Sequence, residues 1–539
     1  MTSIHLSMRL CKPGITLKKA TTSFDGMAAY PVRNGVVLTS QRNEDTPEWL
    51  KPLKDETSAN IAKLHTKSCG AAYLLSVKYK TTKYVVVYTF GTAHHRLDDD
   101  IFEPRFGLRI ALNSIESSEL RNMDVASLDS STLKRRIQAS RSTPVSDFGI
   151  DINQDLLTLL SGKSNDGTFA RVITGRDSVS FKCPPKPGFF REKAVQAIEI
   201  FKKRTYKKNY PWVDYIDTVK DSRLIGDLEN DLLAELTQAA KGRAIDASIS
   251  TPEISDPLVE EAIRYSGAGM KPGKKNTFET ADIYDYISEI KTALIFGKIS
   301  IADIKSQKIT LVESGSRKTK SEKIFKCLNM EIKKGGQRYI LFSGNWYQID
   351  SKHAKTIEDD FKSFLTPKPI FKPTKAKNER AFISQLNRRT DLLNMDQTKI
   401  NPVGSTHANI EPCDFLSRKK QLIHLKDAGA SSSMSHLWSQ GYVSCTLMMT
   451  DASFREQFIK ETKNREAIYK RSGFSIVLPK SKIIPDPTKF SIVFGVMRTR
   501  NKRDNSLDIP FFSKVAMKPS LSAIRLMNFK VFVEIIEKV

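Results

Sequence analysis

Ile410-Glu411-Pro412-Cys413-Asp414-Phe415, followed across Ser417-Arg418-Lys419-Lys420 by Gln421-Leu422-Ile423-His424-Leu425-Lys426, is a pair of short apolar runs separated by a polar, basic turn. The pattern predicts a β-hairpin. Side chains alternate along a strand, so His424 and Lys426 share a face, while the other arm carries Glu411 and Asp414. Loop length decides which acid joins them. A two- or four-residue loop puts Glu411 and Cys413 on the His424 face; a three- or five-residue loop, or one bulge, puts Asp414 there. Both acids are therefore candidates, with only one expected to meet a metal directly.

Carboxylate, imidazole and ammonium on one ribbon suit phosphodiester hydrolysis. Carboxylates hold Mg²⁺, a hard cation that prefers oxygen ligands. The metal lowers the pKa of a water and stabilises charge developing on the phosphate. A neighbouring lysine orients the water and neutralises the phosphate oxygens. Downstream, Ser431-Ser432-Ser433-Met434 opens a predicted helix that continues through Thr450, since hydroxyl residues cap helix starts. Ser433, His436, Gln440 and Ser444 form one polar stripe along it, and Ser433, His436 and Gln440 are candidate supporting residues for a phosphate site. Upstream, Glu379 to Leu393 predicts a helix; downstream, Phe490 to Met497 predicts a strand. The order is α-β-β-α-β, with a first strand unplaced near Ile400.

This arrangement resembles the PD-(D/E)xK nuclease superfamily, the restriction-endonuclease-like fold. The matching positions are Asp414, then His424-Leu425-Lys426, with Glu379 as the acid on the helix. The resemblance implies Glu379, Glu411 and Asp414 as metal ligands, Mg²⁺ or Mn²⁺ as cofactor, and Lys426 activating water. His424 stands where that superfamily carries Asp or Glu. It is a ligand or a general base, because an imidazole titrates near neutrality and its nitrogen suits Mn²⁺ or Zn²⁺ better than Mg²⁺. A second resemblance covers nearly the whole chain. The hairpin, the helix after it, Phe106-Gly107-Leu108-Arg109, Phe148-Gly149-Ile150-Asp151, Ser343-Gly344-Asn345-Trp346-Tyr347 and Pro510-Phe511-Phe512-Ser513-Lys514 resemble the bacterial family known as "sporadically distributed" proteins. Its patchy distribution implies a mobile or defence gene, hence action against phage or other foreign DNA.

The chain has 539 residues, more than a single core of roughly 250 to 300 residues supports. The fold class expected is α/β with mixed α+β character, in several domains. These are an N-terminal α/β domain at 1–183, a middle α+β domain at 184–364, a linker at 365–377 and a restriction-endonuclease-like domain at 378–539. The proline-rich 365–377 stretch, with Pro367, Pro369 and Pro373, motivates the linker.

A formal net charge of +26 favours an anionic partner, most simply nucleic acid, with double-stranded DNA the leading form. The densest basic and aromatic run is Lys202-Lys203-Arg204-Thr205-Tyr206-Lys207-Lys208-Asn209-Tyr210-Pro211-Trp212. Lysines neutralise phosphates and aromatics stack on bases, although a helix end with core aromatics reads the same way. Arg498 and Arg500, with Lys502 and Arg503, form a second basic patch that suits a duplex backbone or a solvated turn. A homo-oligomer is compatible with the sequence. The alternative function is a nucleic-acid-binding or sensing protein that keeps the nuclease-like fold without turnover.

Six widely spaced cysteines without a CxxC pair argue against a disulfide framework or zinc finger and for a reducing cytoplasm. No apolar run approaches the ~20 residues of a membrane span. Gly162-Lys163-Ser164 ends like a P-loop, but Leu157 occupies its first glycine position, and neither GxSxG nor HExxH occurs. ATPase, serine hydrolase and zincin chemistry lack their signatures. Asp98, Asp99 and Asp100 offer oxygen ligands or a solvated face, and His94-His95 reads as a loop pair. Residues 45–68 read as a polar connection with a helical stretch near Ala59 to Leu64, and Asp151 to Leu160 reads as a helix.

Overall fold

The structure is a computed structural model that describes residues 3–43, 67–127, 134–153, 155–243, 245–250, 261–270, 276–313, 319–401, 410–427, 434–501 and 505–539. Ser433, Lys502, Arg503 and the helical stretch expected near Ala59 to Leu64 lie outside the described residues. The chain forms two compact units, one of residues 1–126 and 134–214, the other of residues 127–133 and 215–539.

The first unit is built on a ten-stranded sheet. Ile4–Leu10 lies between Thr82–Gly91 and Val179–Cys183, pairing Met8 with Tyr88 on one side and Leu6 with Phe181 on the other. The first strand thus joins a four-stranded meander within residues 28–91 to five strands from residues 115–183. Asp155–Ser164 is one of its strands, correcting the helix expected over Asp151 to Leu160. Leu156, Leu157, Leu159 and Leu160 are all buried, so the period-two signal of a half-buried strand is missing there.

The second unit opens with a five-stranded sheet, whose members include Leu328–Lys334, Gln337–Phe342 and Asn345–Ile349, and a three-stranded one. The helices Ser222–Ala240 and Ile283–Ile295 close over this part, packing Leu228, Leu232, Tyr286 and Ile290 into a shared core with Leu328 and Leu341.

The C-terminal part of this unit holds a second five-stranded sheet in the order Leu392–Asn394, Phe415–Ser417, Gln421–Asp427, Ser491–Arg498, Lys530–Glu537. The first two pairings are antiparallel and the last two parallel. Both faces are covered, as parallel strands require. Leu422, Phe494 and Val533 face a core with Leu437, Trp438 and Leu521 from the helices Met434–Thr450 and Phe511–Leu526. Ile423, Leu425 and Val493 face Phe382, Ile383 and Leu386 of the helix Glu379–Leu386. Gly441 lets the helix Met434–Thr450 approach closely, because a Cβ there would collide with the Phe494 ring. The 365–377 stretch, expected as a linker, runs beside the last strand: Thr366 N–H donates to Val533 O at 2.9 Å and Thr374 N–H to Glu537 O at 2.8 Å.

Candidate metal centre

Phe415 pairs with Ile423 and Leu416 with Leu422, so Arg418, Lys419 and Lys420 form a three-residue turn. Lys420 closes it at φ 59°, the left-handed residue that such loops use. This is the odd-length case. Asp414 therefore stands opposite His424, and its backbone N–H donates to Ile423 O at 2.9 Å. The chain bends away from the ladder before Asp414, and the bend also carries Glu411 back to the site.

A third acid joins them. Asp396 follows the short strand Leu392–Asn394, and ligand oxygens of Asp396, Glu411 and Asp414 all lie within 4.8 Å of one another. Backbone donors fix two of the carboxylates, and the Asn394 side chain holds the backbone of the third. Asp414 Oδ2 accepts from Leu425 N–H at 2.6 Å, Glu411 Oε1 accepts from Gln397 N–H, and Asp396 N–H donates to Asn394 Oδ1 at 2.9 Å. Buried Ser444, on the helix Met434–Thr450, donates through Oγ to Glu411 O at 3.4 Å.

Glu379 opens its helix beside this group. Its Oε2 lies 3.2 Å from Lys426 Nζ and accepts from Asp427 N–H at 3.2 Å. Both side chains keep about a third of their surface in solvent, 31% for Lys426 and 29% for Glu379, so the site is open to a substrate.

Electrostatics set this cluster apart. Burial first, then the Glu411, Asp396 and Glu379 charges, push the Asp414 carboxyl well above the ordinary carboxylate range. Glu411 is raised by burial and by Asp396 and Glu379, and Asp396 by burial and Glu379, with Arg465 and Lys426 opposing only in part. One buried and two half-buried carboxylates this close favour a shared proton or a cation between them. An all-oxygen set open on one side fits a hard divalent ion, Mg²⁺ or Mn²⁺, better than Zn²⁺.

His424 stands apart from this cluster. Its ring is 2% exposed, stacks on Phe494 at a centroid separation of 5.6 Å, and leaves Nε2 without a hydrogen-bond partner. Burial pushes its pKa down to about 4, which keeps it neutral. Among the stripe residues, His436 is exposed and Gln440 half-buried, while Ser444 reaches the site's backbone.

The basic positions are dispersed. Lys202, Lys203, Arg204, Lys207 and Lys208 are exposed, but Tyr206, Tyr210 and Trp212 are buried. That corrects the expectation of base stacking, because these rings are core. Tyr206 Oη donates to Asp214 at 2.6 Å and Tyr210 Oη to Ile115 O at 3.1 Å. Lys207 pairs with Asp214 at 2.6 Å and Lys202 lies 5.4 Å from the Tyr84 ring centroid. Arg498 is held by both Asp246 oxygens, at 3.0 and 2.7 Å, and Arg500 by Glu537 at 2.5 Å.

Asp396 is the residue that the sequence reading missed. Its signal was Leu392-Leu393-Asn394-Met395-Asp396, a buried strand of three residues, too short to register as one, with the acid two residues after it. No helix among the described residues is long and apolar enough to cross a membrane. The chain belongs to a family of unknown function, DUF6119, whose model matches residues 6–537. No curated protein and no solved structure matches it.

Proposed function

We propose that this member of the DUF6119 family is a metal-dependent nuclease, acting on DNA through a restriction-endonuclease-like domain in the C-terminal part of its second unit. The single observation that carries this reading is the convergence of Asp396, Glu411 and Asp414 beside the Lys426–Glu379 pair. The strand Leu392–Asn394 supplies the β-element missing from the α-β-β-α-β order, which supports the fold assignment. Asp396 and Glu411 supply the oxygen ligands that His424 does not.

A divalent ion bound there would neutralise the carboxylates, lower the pKa of a water and stabilise charge on a phosphate. The chain's own groups do the rest. Asp414 and Glu411, fixed by the Leu425 and Gln397 backbone donors, hold their oxygens in place without rotamer search. Glu379 holds the Lys426 ammonium in place at 3.2 Å, so it can donate to a phosphate oxygen in the transition state, where a preorganised donor acts most strongly. Foreign DNA as the target follows from the expected defence role.

The test is cleavage of supercoiled plasmid by the full chain with Mn²⁺ or Mg²⁺. Wild type nicks or linearises it, whereas Lys426→Ala and Asp396→Asn each lose about a hundredfold or more, the scale of a lost transition-state donor. Equal cleavage by all three would reject the assignment. One observation favours the second reading, a binding protein without turnover: the pattern's second acid is replaced by a buried, neutral His424. Plasmid shifted by all three proteins but cut by none would select it.

A further inference from the structure

A cavity of about 810 Å³ opens where the strands Ser491–Arg498 and Lys530–Glu537 end, against the helix Ser222–Ala240 and the strand Leu328–Lys334. Its size falls in the roughly 300 to 1,000 Å³ range of small-molecule sites, and its place beyond the carboxyl ends of parallel strands is where open α/β sheets bind ligands.

Its wall has two chemistries. Met330, Ile332, Met497 and Ile509, none more than 6% exposed, bring the edges of the core to the cavity lining. Lys241, Arg243, Lys333, Arg500 and Lys538 make a basic surface. The acids on the wall are largely committed: Asp246 chelates Arg498, Glu331 holds Arg338 at 2.8 Å, and Asp508 lies 2.7 Å from Lys514. Lys241 and Arg243 have no ion-pair partner among the described residues. The result is a built cavity whose outstanding charge is positive and whose remaining lining mixes apolar atoms with the polar Gln238, Thr499, Asn501 and Ser506.

We propose that this cavity binds a nucleotide unit, its phosphates on the Lys241 and Arg243 side and its base against the Met330 and Ile332 side. An apolar surface beside a cluster of ammonium and guanidinium groups matches a flat heterocycle joined to phosphates, and neither half alone would use both walls. The unit comes either from a free nucleotide or from the end of a nucleic-acid strand. The position also links it to the carboxylates. Lys538, on the wall, holds Asp427 at 2.7 Å, and Asp427 N–H holds Glu379, the partner of Lys426. A phosphate that drew Lys538 away would loosen that chain of contacts. This coupling rests on the nuclease reading; the binding site does not.

The test titrates the full chain, in EDTA so that the metal centre takes no part, with an N-methylanthraniloyl-labelled ATP and, separately, with a dye-labelled, 5′-phosphorylated single-stranded oligonucleotide. Saturable binding of either probe is expected, weakened about tenfold or more by Lys241→Glu with Arg243→Glu, a change of roughly 1.4 kcal/mol. The same charge reversal at exposed Lys480 and Lys482, outside the cavity, leaves it unchanged. Asp414→Ala also binds normally, which separates this site from the nuclease reading. Whichever probe shows the cavity-dependent loss identifies the source. Binding by neither probe, or binding that the cavity pair of substitutions leaves intact, overturns the proposal; an unchanged melting temperature in that variant shows that folding is not the cause.

Discussion

Asp414 accepts a 2.6 Å bond from Leu425 N–H, which favours its charge, yet burial and three neighbouring carboxylates outweigh that bond and raise its pKa. A carboxyl whose folded pKa exceeds its unfolded value of about 4 stabilises the fold below that value and loses the contribution as pH climbs through the raised one. Metal-free protein should thus lose stability at this site between acid and neutral pH. Asp414→Asn removes the penalty, so at neutral pH its metal-free form should be more stable than wild type. Thermal denaturation at about pH 5 and about pH 8 checks it: the gap between the two proteins should widen at the higher pH. His424 has the opposite sign. Its pKa, lowered to about 4 by burial, means stability present above the unfolded value of about 6.5 and lost as pH falls towards 4. His424→Leu should flatten that acid loss in a melting series and leave Mn²⁺ affinity unchanged, because the ring lies outside the carboxylate group.

The hairpin, its three-residue turn and the helix behind it act together to place the acids. The turn sets Asp414 opposite His424, and Gly441 sets how near the helix Met434–Thr450 lies to Phe494. Gly441→Ala must push either the Phe494 ring or the helix aside, so it should cost about 1 to 3 kcal/mol by overpacking. Denaturant titration measures this, and an unchanged midpoint would contradict the packing. Much of this part was legible. The hairpin, the helix through Thr450, the start of the Glu379 helix and the strand after Phe490 carry ordinary signals of period and capping, but that helix ends at Leu386, short of the Leu393 expected. The strand Leu392–Asn394 was not, because three residues show no period and its partners come from Phe415–Ser417, beyond residues the structure does not describe. Asp396 was hidden with it. Loop length governed which acid faced His424, and the strand register together with the Lys420 backbone at φ 59° reveals it.

Among the described residues, the basic positions behind the net charge of +26 are spread over both units and not gathered in one patch. Lys203 pairs with Glu199 and Arg500 with Glu537, while the tyrosines of the basic run sit in the first unit's core. The composition read correctly as an excess of cations, but which of them are paired depends on partners as distant as Arg498 and Asp246. The same distance hid the ten-stranded sheet, whose central strand pairs with Val179–Cys183. Diffuse charge predicts DNA affinity that falls steeply with salt by counterion release. Fluorescence titration at several salt concentrations checks this, and a salt-independent affinity would deny a phosphate-backbone contact. The central claim is narrower: Asp396, Glu411 and Asp414 together hold a divalent ion. Mn²⁺ titration of the full chain, followed by the loss of the free-ion electron paramagnetic resonance signal, tests it most directly. Saturable binding by wild type and His424→Leu, lost in Asp396→Asn and in Asp414→Asn, is the predicted result. Wild-type protein that leaves the free Mn²⁺ signal undiminished, or Mn²⁺ bound equally by all four proteins, would contradict it.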